Sequence, residues 1–242
     1  MCLCVYGSSL AVYASRTNRW TYTSHFYSRW YRPHMNTLCD ALREATVAFR
    51  VLSRPLDITE PCAGISAYRE LTSRCNLPYN TTAFDTDQRL EPFYSARNLS
   101  SDCVVNIGLT AGDVLQIDLA SGVLDGSEAL LAGPPCQHIN ESGNRLGVAD
   151  SRSLVFDCIL DWVIHLAWQG TLLFFCLENS PNIQRITDER GETYEAWVLR
   201  KLRVSIPFYS LEVVILCAYP TLPHSRTRWW LRALRDSPAH NY

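Results

Sequence analysis

From Pro55 onward the chain alternates short apolar runs with amphipathic ones, and this alternation constrains its fold more tightly than any other feature. "LDITEPCAG" predicts a strand entering a tight turn, "SAYRELTSRC" a helix, and "NTTAFDTD" a second strand ending in acids. "EALLAGPP" is short and wholly apolar at its centre, as a buried strand must be. "SLVFDCILDWVIHLA" predicts a helix whose apolar faces are broken by Asp157, Asp161 and His165 at steps of four. The strand "TLLFFCLENS", the helix "ETYEAWVLRKLRV", the strand "LEVVILCA" and a final "RTRWWLRAL" complete the series. Parallel strands need long crossovers, which helices supply, so the expected class is α/β with a doubly wound, mostly parallel sheet covered on both faces. The expected domains are an irregular extension at 1–54 carrying one helix, "TLCDALREATVAFRVL", and a core at 55–242.

Composition removes several function classes. The 242 residues are 47% hydrophobic and 19% charged, with a net charge of -2, so no overall basic field advertises nucleic acid. Any such partner must be held by local patches or by a second chain. The ten cysteines lack the paired short spacings of zinc sites and disulfide frameworks, which favours reduced thiols and an intracellular setting. "MCLCVYGSSLAVYA" lacks the charged start of a secretory signal, and no apolar run reaches the roughly 18 residues of a membrane span. The N-x-S/T matches at Asn80, Asn98 and Asn140 are therefore expected to be idle, and His138, His165 and His224 form no metal-ligand pattern.

In a sheet of this kind ligands gather beyond the carboxyl ends of the strands. After the first of these strands, "EPCAGIS" offers Ala63 and Gly64 for close backbone approach, without a full G-x-G-x-x-G. Asp85 and Asp87 end the second strand, where an acid binds ribose hydroxyls in dinucleotide folds. Gly112 and Asp113 stand at another strand edge. Each has an ordinary alternative as a solvated turn residue.

Cys136 is the more pointed feature. It follows two prolines in "LLAGPPCQHINESGNRLGVADSRSLVFDCIL", at the end of an apolar run and ahead of a polar, Gly-dotted loop. A structural thiol belongs inside a periodic apolar segment; this one is displayed. "AGPPCQ" resembles the Pro-Cys nucleophile motif of the cytosine-5 DNA methyltransferase family, and "GVADSRSLVF" its D-x-R-x-x-L-x-F segment. "LENSP" is similar to that family's Glu-Asn motif and "PHSRTR" to its Q-x-R-x-R, with His224 in place of Gln. "CAGIS" stands where the family has F-x-G-x-G, with Cys62 and Ser66 replacing the Phe and the last Gly. The order of the motifs, from 56 to about 234, is far more specific than any one of them.

The resemblance implies a Rossmann-like fold of the S-adenosylmethionine-dependent methyltransferase type, and a division of labour. Cys136 would add as thiolate to carbon 6 of cytosine, activating carbon 5 toward the methyl group of S-adenosylmethionine. Glu178 would contact ring nitrogen 3 and the exocyclic amine, Arg226 and Arg228 would steady the base and the catalytic loop, and Asn179 would brace the two loops. Cofactor contacts carried over by position are Cys62, Ala63, Gly64 and Ile65 at the turn, Asp85 at the ribose, Asp113 at the adenine amine, and Gly133 and Leu154 along the pocket. Loss of the ring at position 62 removes a stacking surface for adenine. Read without the resemblance, Cys136 is a strand-end thiol, Glu178 a turn cap and the arginines a solvated edge.

The same resemblance leaves the acceptor open between DNA, with its cytosine flipped out of the duplex, and RNA, since a related branch modifies tRNA. The family follows its arginine motif with a target-recognition region and a closing motif, whereas this sequence runs eight residues past "RAL". That implies a catalytic core whose recognition surface comes from a second chain, or a regulatory, non-catalytic partner of another methyltransferase. "HMNTLCDALREA" is a weak match to the closing motif in permuted order, because one Asn and a helix carry little information. DNA as the partner makes the nucleus the expected location, and no membrane partner is expected.

Overall fold

The computed structural model describes residues 54–64, 78–96, 103–136, 153–217 and 227–236, and the backbone of short strands between 5 and 22. The expected helices at 66–75 and 37–52 lie outside the described residues. The N-terminal strands are β1 (Val5–Tyr6), β2 (Ser9–Ala14) and β3 (Arg19–Tyr22), an antiparallel sheet in which Tyr13 pairs with Trp20 and Val12 with Thr21. β-branched and aromatic residues at paired positions favour a ladder even without a periodic pattern.

The main sheet is built from β4 (Leu56–Pro61), β5 (Tyr79–Asp85), β6 (Cys103–Ile107), β7 (Ala129–Ala132), β8 (Phe174–Asn179), β9 (Tyr209–Cys217) and β10 (Thr227–Arg235). Its order is β6-β5-β4-β7-β8-β10-β9. The pairings from β6 through β8 are all parallel, and β10 runs antiparallel to both β8 and β9. The chain thus winds outward from β4 in one direction and from β7 in the other, giving the doubly wound, mostly parallel sheet that the sequence predicts. The switch point lies between β4 and β7, where a crevice opens beyond the strand ends.

Helices α2 (Ser153–Gln169) and α3 (Tyr194–Ser205) cover one face, and a short α1 (Glu91–Ala96) packs near the β6 edge. α2 buries Phe156, Ile159, Leu160, Val163, Leu166 and Ala167, spaced three and four apart, which is the stripe that a 3.6-residue period lays along one side. It shares one core with α3 and with alternate residues of the sheet, Phe175 and Leu177 of β8 and Trp229, Leu231 and Ala233 of β10, as the pleat requires. Trp162 meets Phe84 of β5 edge to face at 5.3 Å, so α2 spans the sheet across β7. Two of the polar breaks of the same helix find partners on α3: Tyr194 donates its hydroxyl to Asp157 Oδ1 at 2.9 Å, and Lys201 Nζ lies 2.7 Å from Asp161 Oδ1, while His165 meets Gln169 of its own helix at 3.0 Å. At the end opposite the crevice, Arg54 closes β4 onto β7 through a two-pronged contact with Glu128 at 2.9 and 2.6 Å.

Candidate active site

Five parallel strands end on one side of the molecule, and the residues singled out in the sequence follow those ends. β4 stops at Pro61 because the chain turns at Cys62 and Gly64, both left-handed with φ of 55° and 53°. Among the described residues Cys62 is the only non-glycine at positive φ. A side chain held there costs on the order of 1–2 kcal/mol, a strain that persists only where surrounding contacts enforce it. Those contacts are visible. The Ala63 amide donates to Phe84 O at 2.9 Å, the Gly64 amide to Asp85 Oδ2 at 2.9 Å, and Tyr94 donates its hydroxyl to Gly64 O at 2.8 Å.

Asp85 is thereby fixed from two sides, since its Oδ1 also accepts from the Asp87 amide at 2.9 Å. A carboxylate has about four acceptor positions, so two remain for a ligand hydroxyl. Asp87 is committed elsewhere. Its oxygens take Arg89 Nε and Nη2 at 2.7 Å each, and that guanidinium holds the carboxyl below its ordinary range.

Asp113 reaches the same corner because Gly112 lets the chain pass. A Cβ at Gly112 would lie 2.0 Å from Asp85 O and 2.4 Å from Asn106 O, so no side chain fits between the loop and the ends of β5 and β6. Asp113 then caps the following turn, accepting from the Leu115 amide at 3.0 Å. The thiol of Cys62 reports the result: burial pushes it up to about 12, with Asp85, Asp113 and Cys158 each adding to the rise. Cys62, Asp85 and Asp113 thus share one electrostatic neighbourhood. Ile65 lies outside the described residues, and Leu154 sits on the first turn of α2 with its side chain 55% exposed.

The second half of the crevice follows β7 and β8. Gly133, Pro134, Pro135 and Cys136 continue β7 without secondary structure, and the prolines fix φ while withholding donors from any ladder. Cys136 is half-buried and in no disulfide. At the end of β8 successive residues face opposite ways. Asn179 is fully buried, its Oδ1 accepting from the Ser180 amide at 2.7 Å while its Nδ2 has no hydrogen-bond partner among the described residues. Glu178 points to the other face, where Arg228 Nε lies 2.6 Å from its Oε1. Both side chains are about four-fifths buried, at 23% and 21% exposure, so the pair is shielded without being sealed. Arg228 arrives because β10 is antiparallel: its first residues stand at the end where β8 finishes. Arg226 lies outside the described residues.

The site therefore offers an acidic, glycine-floored corner beside the first turn and, across the switch point, a thiol beyond the end of β7 and a carboxylate held by a guanidinium at the end of the neighbouring β8. Tyr94 and Gly112 were not assigned these roles from sequence. Gly112 carried a signal in its place before an acid at a strand edge; Tyr94 carried none. Among the described residues no three His, Cys, Asp or Glu side chains gather in a way that could hold a metal ion, and no helix is long and apolar enough to cross a membrane.

Residues 59–241 match the family model described as C-5 cytosine-specific DNA methylase. No curated protein matches the chain. Among solved structures, the METTL16 MTase domain is similar with a TM-score of 0.49 at 12% identity, over 85% of this chain and 70% of that one. An rRNA methylase from Streptococcus thermophilus is similar with a TM-score of 0.44 at 10% identity, over 81% of this chain and 97% of that one. The 23S rRNA methyltransferase ErmE gives 0.44 at 15% identity, over 81% and 68%.

Proposed function

The chain belongs to the C-5 cytosine-specific DNA methylase family, and from that premise we propose that it transfers a methyl group from S-adenosylmethionine to carbon 5 of cytosine in DNA, through a covalent adduct on Cys136. The observation that carries this reading is the Glu178–Arg228 pair at the carboxyl end of β8, on a sheet whose neighbouring strand β7 leads directly to Cys136. A carboxyl group oriented by a guanidinium at a strand end can, in its protonated form, give a proton to a ring nitrogen, where charge develops as a thiolate adds to the ring.

The residues at the first turn fit S-adenosylmethionine. The carboxylate of Asp85 with acceptor positions left and the left-handed turn at Cys62 and Gly64 together suit a ribose and an adenine, beside a loop that Gly112 lets pack against the ends of β5 and β6. Asp85 would hold the ribose hydroxyls and Asp113 the adenine amine, with Gly64 and Gly133 letting the backbone come close. When bound, the cofactor supplies an electrophilic methyl group on a sulfonium.

The chain's own part is to hold and polarise the base. The Sγ of Cys136, as thiolate, bonds to carbon 6; Glu178 gives a proton to nitrogen 3, which leaves electron density at carbon 5. After carbon 5 has gained its methyl group and lost its proton to a base, the carbon–sulfur bond breaks, the thiolate leaves and nitrogen 3 returns its proton to Glu178. Arg228 keeps Glu178 oriented toward the ring, and Asn179 has a buried amide donor available to the loop behind Cys136.

The test is adduct formation with DNA containing 5-fluorocytosine, where the step that removes the carbon 5 proton is blocked. The expected result is a denaturant-resistant complex that needs S-adenosylmethionine and disappears in Cys136→Ser. An adduct persisting in that variant would remove Cys136 from the role. An adduct with RNA and none with DNA would move the acceptor to the RNA reading, and a folded chain forming neither would leave the regulatory one.

A further inference from the structure

On the face of β10 that carries the catalytic pair, Arg228, Trp230 and Arg232 alternate along the strand. The antiparallel register sets Trp230 directly opposite Glu178 on one side and Val214 of β9 on the other. Side chains of directly opposed residues stand about 4.5–5.5 Å apart at Cβ, so the half-buried indole is the immediate neighbour of the carboxylate. Both arginines are diagonal to Glu178: Arg228 lies two residues before Trp230, and Arg232, opposite Cys176, two residues after. Diagonal neighbours are within reach of a long side chain, so Glu178 has two cations available at similar range. It pairs with Arg228, at the crevice mouth, while Arg232 is occupied by Glu212 at 2.5 Å between Nη2 and Oε2.

We propose that Trp230 is a positioning residue, a spacer between two Arg–Glu pairs that confines the Glu178 carboxylate to the Arg228 side and keeps it aimed into the crevice. An indole offers a rigid apolar wall without a group that competes for the carboxylate on its face. With the wall gone, Glu178 can turn toward Arg232, away from the mouth, and the pair that faces the base is lost. Phe at this position retains a wall; Thr, which suits a strand, does not.

The experiment compares wild type with Trp230→Phe, Trp230→Thr, Trp230→Leu and the double variant Trp230→Thr/Arg232→Gln. Its first arm follows the Arg228 Nε proton by nitrogen-15 NMR, which reports the ion pair whether or not the chain is active. The proton is expected to exchange slowly in wild type and in Trp230→Phe, about tenfold faster in Trp230→Thr, and slowly again in the double variant, where the competing cation is gone. Trp230→Leu, apolar and without a ring, keeps the comparison available should the Thr variant fail to fold, and is expected between the two.

The second arm rests on the proposed cytosine chemistry. There kcat is expected to fall about tenfold in Trp230→Thr with KM for the nucleic acid changed less than about twofold, and to recover in the double variant. A merely structural role would not be rescued by removing Arg232. Slow exchange in folded Trp230→Thr, or no recovery in the double variant, overturns the proposal. A wild-type chain without methyl transfer would count against the function and leave the NMR arm to decide the positioning.

Discussion

At the scale of single residues the site is held by a few atoms with no slack. Gly112 is the sharpest case, because any Cβ there would lie 2.0 Å from the Asp85 carbonyl and the backbone on either side is tied into the ends of β5 and β6. Gly112→Ala is expected to cost about 3 kcal/mol in denaturant unfolding and to weaken S-adenosylmethionine binding in calorimetry together with it. Stability unchanged in that variant would show that the turn can relax. Glu178→Gln keeps size and shape but leaves Arg228, four-fifths buried, without its counter-charge. The methyl-transfer rate is expected to drop roughly a hundredfold while cofactor affinity stays within about twofold, which steady-state kinetics and calorimetry separate. The Pro-Pro-Cys run and the Glu-Asn pair were legible in the sequence because these side chains are short motifs in fixed order. The Glu178–Arg228 contact was not, since the residues are fifty positions apart and only the antiparallel register brings them together.

Among elements, the seam between α2 and α3 holds a carboxyl that couples pH to stability. Burial lifts the Asp157 carboxyl above its ordinary 3.8, against the hydroxyl of Tyr194 and the charge of Lys201, which both pull it down; Asp161 pushes in the same direction as burial. A carboxyl with a native value above its unfolded value binds more protons when folded, so its contribution to stability falls as pH rises from about 3.8 through the raised value. Asp157→Asn retains an oxygen to accept from Tyr194 and carries no charge to desolvate. It is expected to match or exceed wild-type stability at pH 7 and to flatten the decline seen in wild type above pH ~4, as thermal unfolding across pH would show. A variant less stable at every pH would mean that the charged form is the favoured one. At the start of α3, Thr193 Oγ1 accepts from the Ala196 amide at 3.1 Å, and Thr193→Ala is expected to cost about 1 kcal/mol in urea unfolding. Most helices and strands of the core were readable because their apolar spacing switches cleanly between the two periods; β6 and the short α1 were not read. The N-terminal strands were not, because short ladders of Tyr, Trp and Thr leave no periodic trace.

For the whole molecule, one core joins the two halves of the crevice. Trp162 of α2 is fully buried against Phe84 of β5, next to the acid-bearing end of that strand, while the N-terminus of the same helix begins on the Cys136 side. Trp162→Ala is expected to destabilise the chain by about 3–5 kcal/mol, read from the denaturation midpoint, and to impair both halves together rather than either alone. The sequence by itself determined the class of fold and the mostly parallel run of its strands, because hydrophobic period and helix crossovers are local properties that admit one economical arrangement. It also determined the residue types, through an ordered set of motifs. Only the tertiary structure decided which acids are available to a ligand, Asp85 with open acceptor positions and Asp87 taken by Arg89, and which arginine holds Glu178. Those outcomes depend on strand register and on competition between charges distant in sequence, and neither is encoded in any window short enough to read.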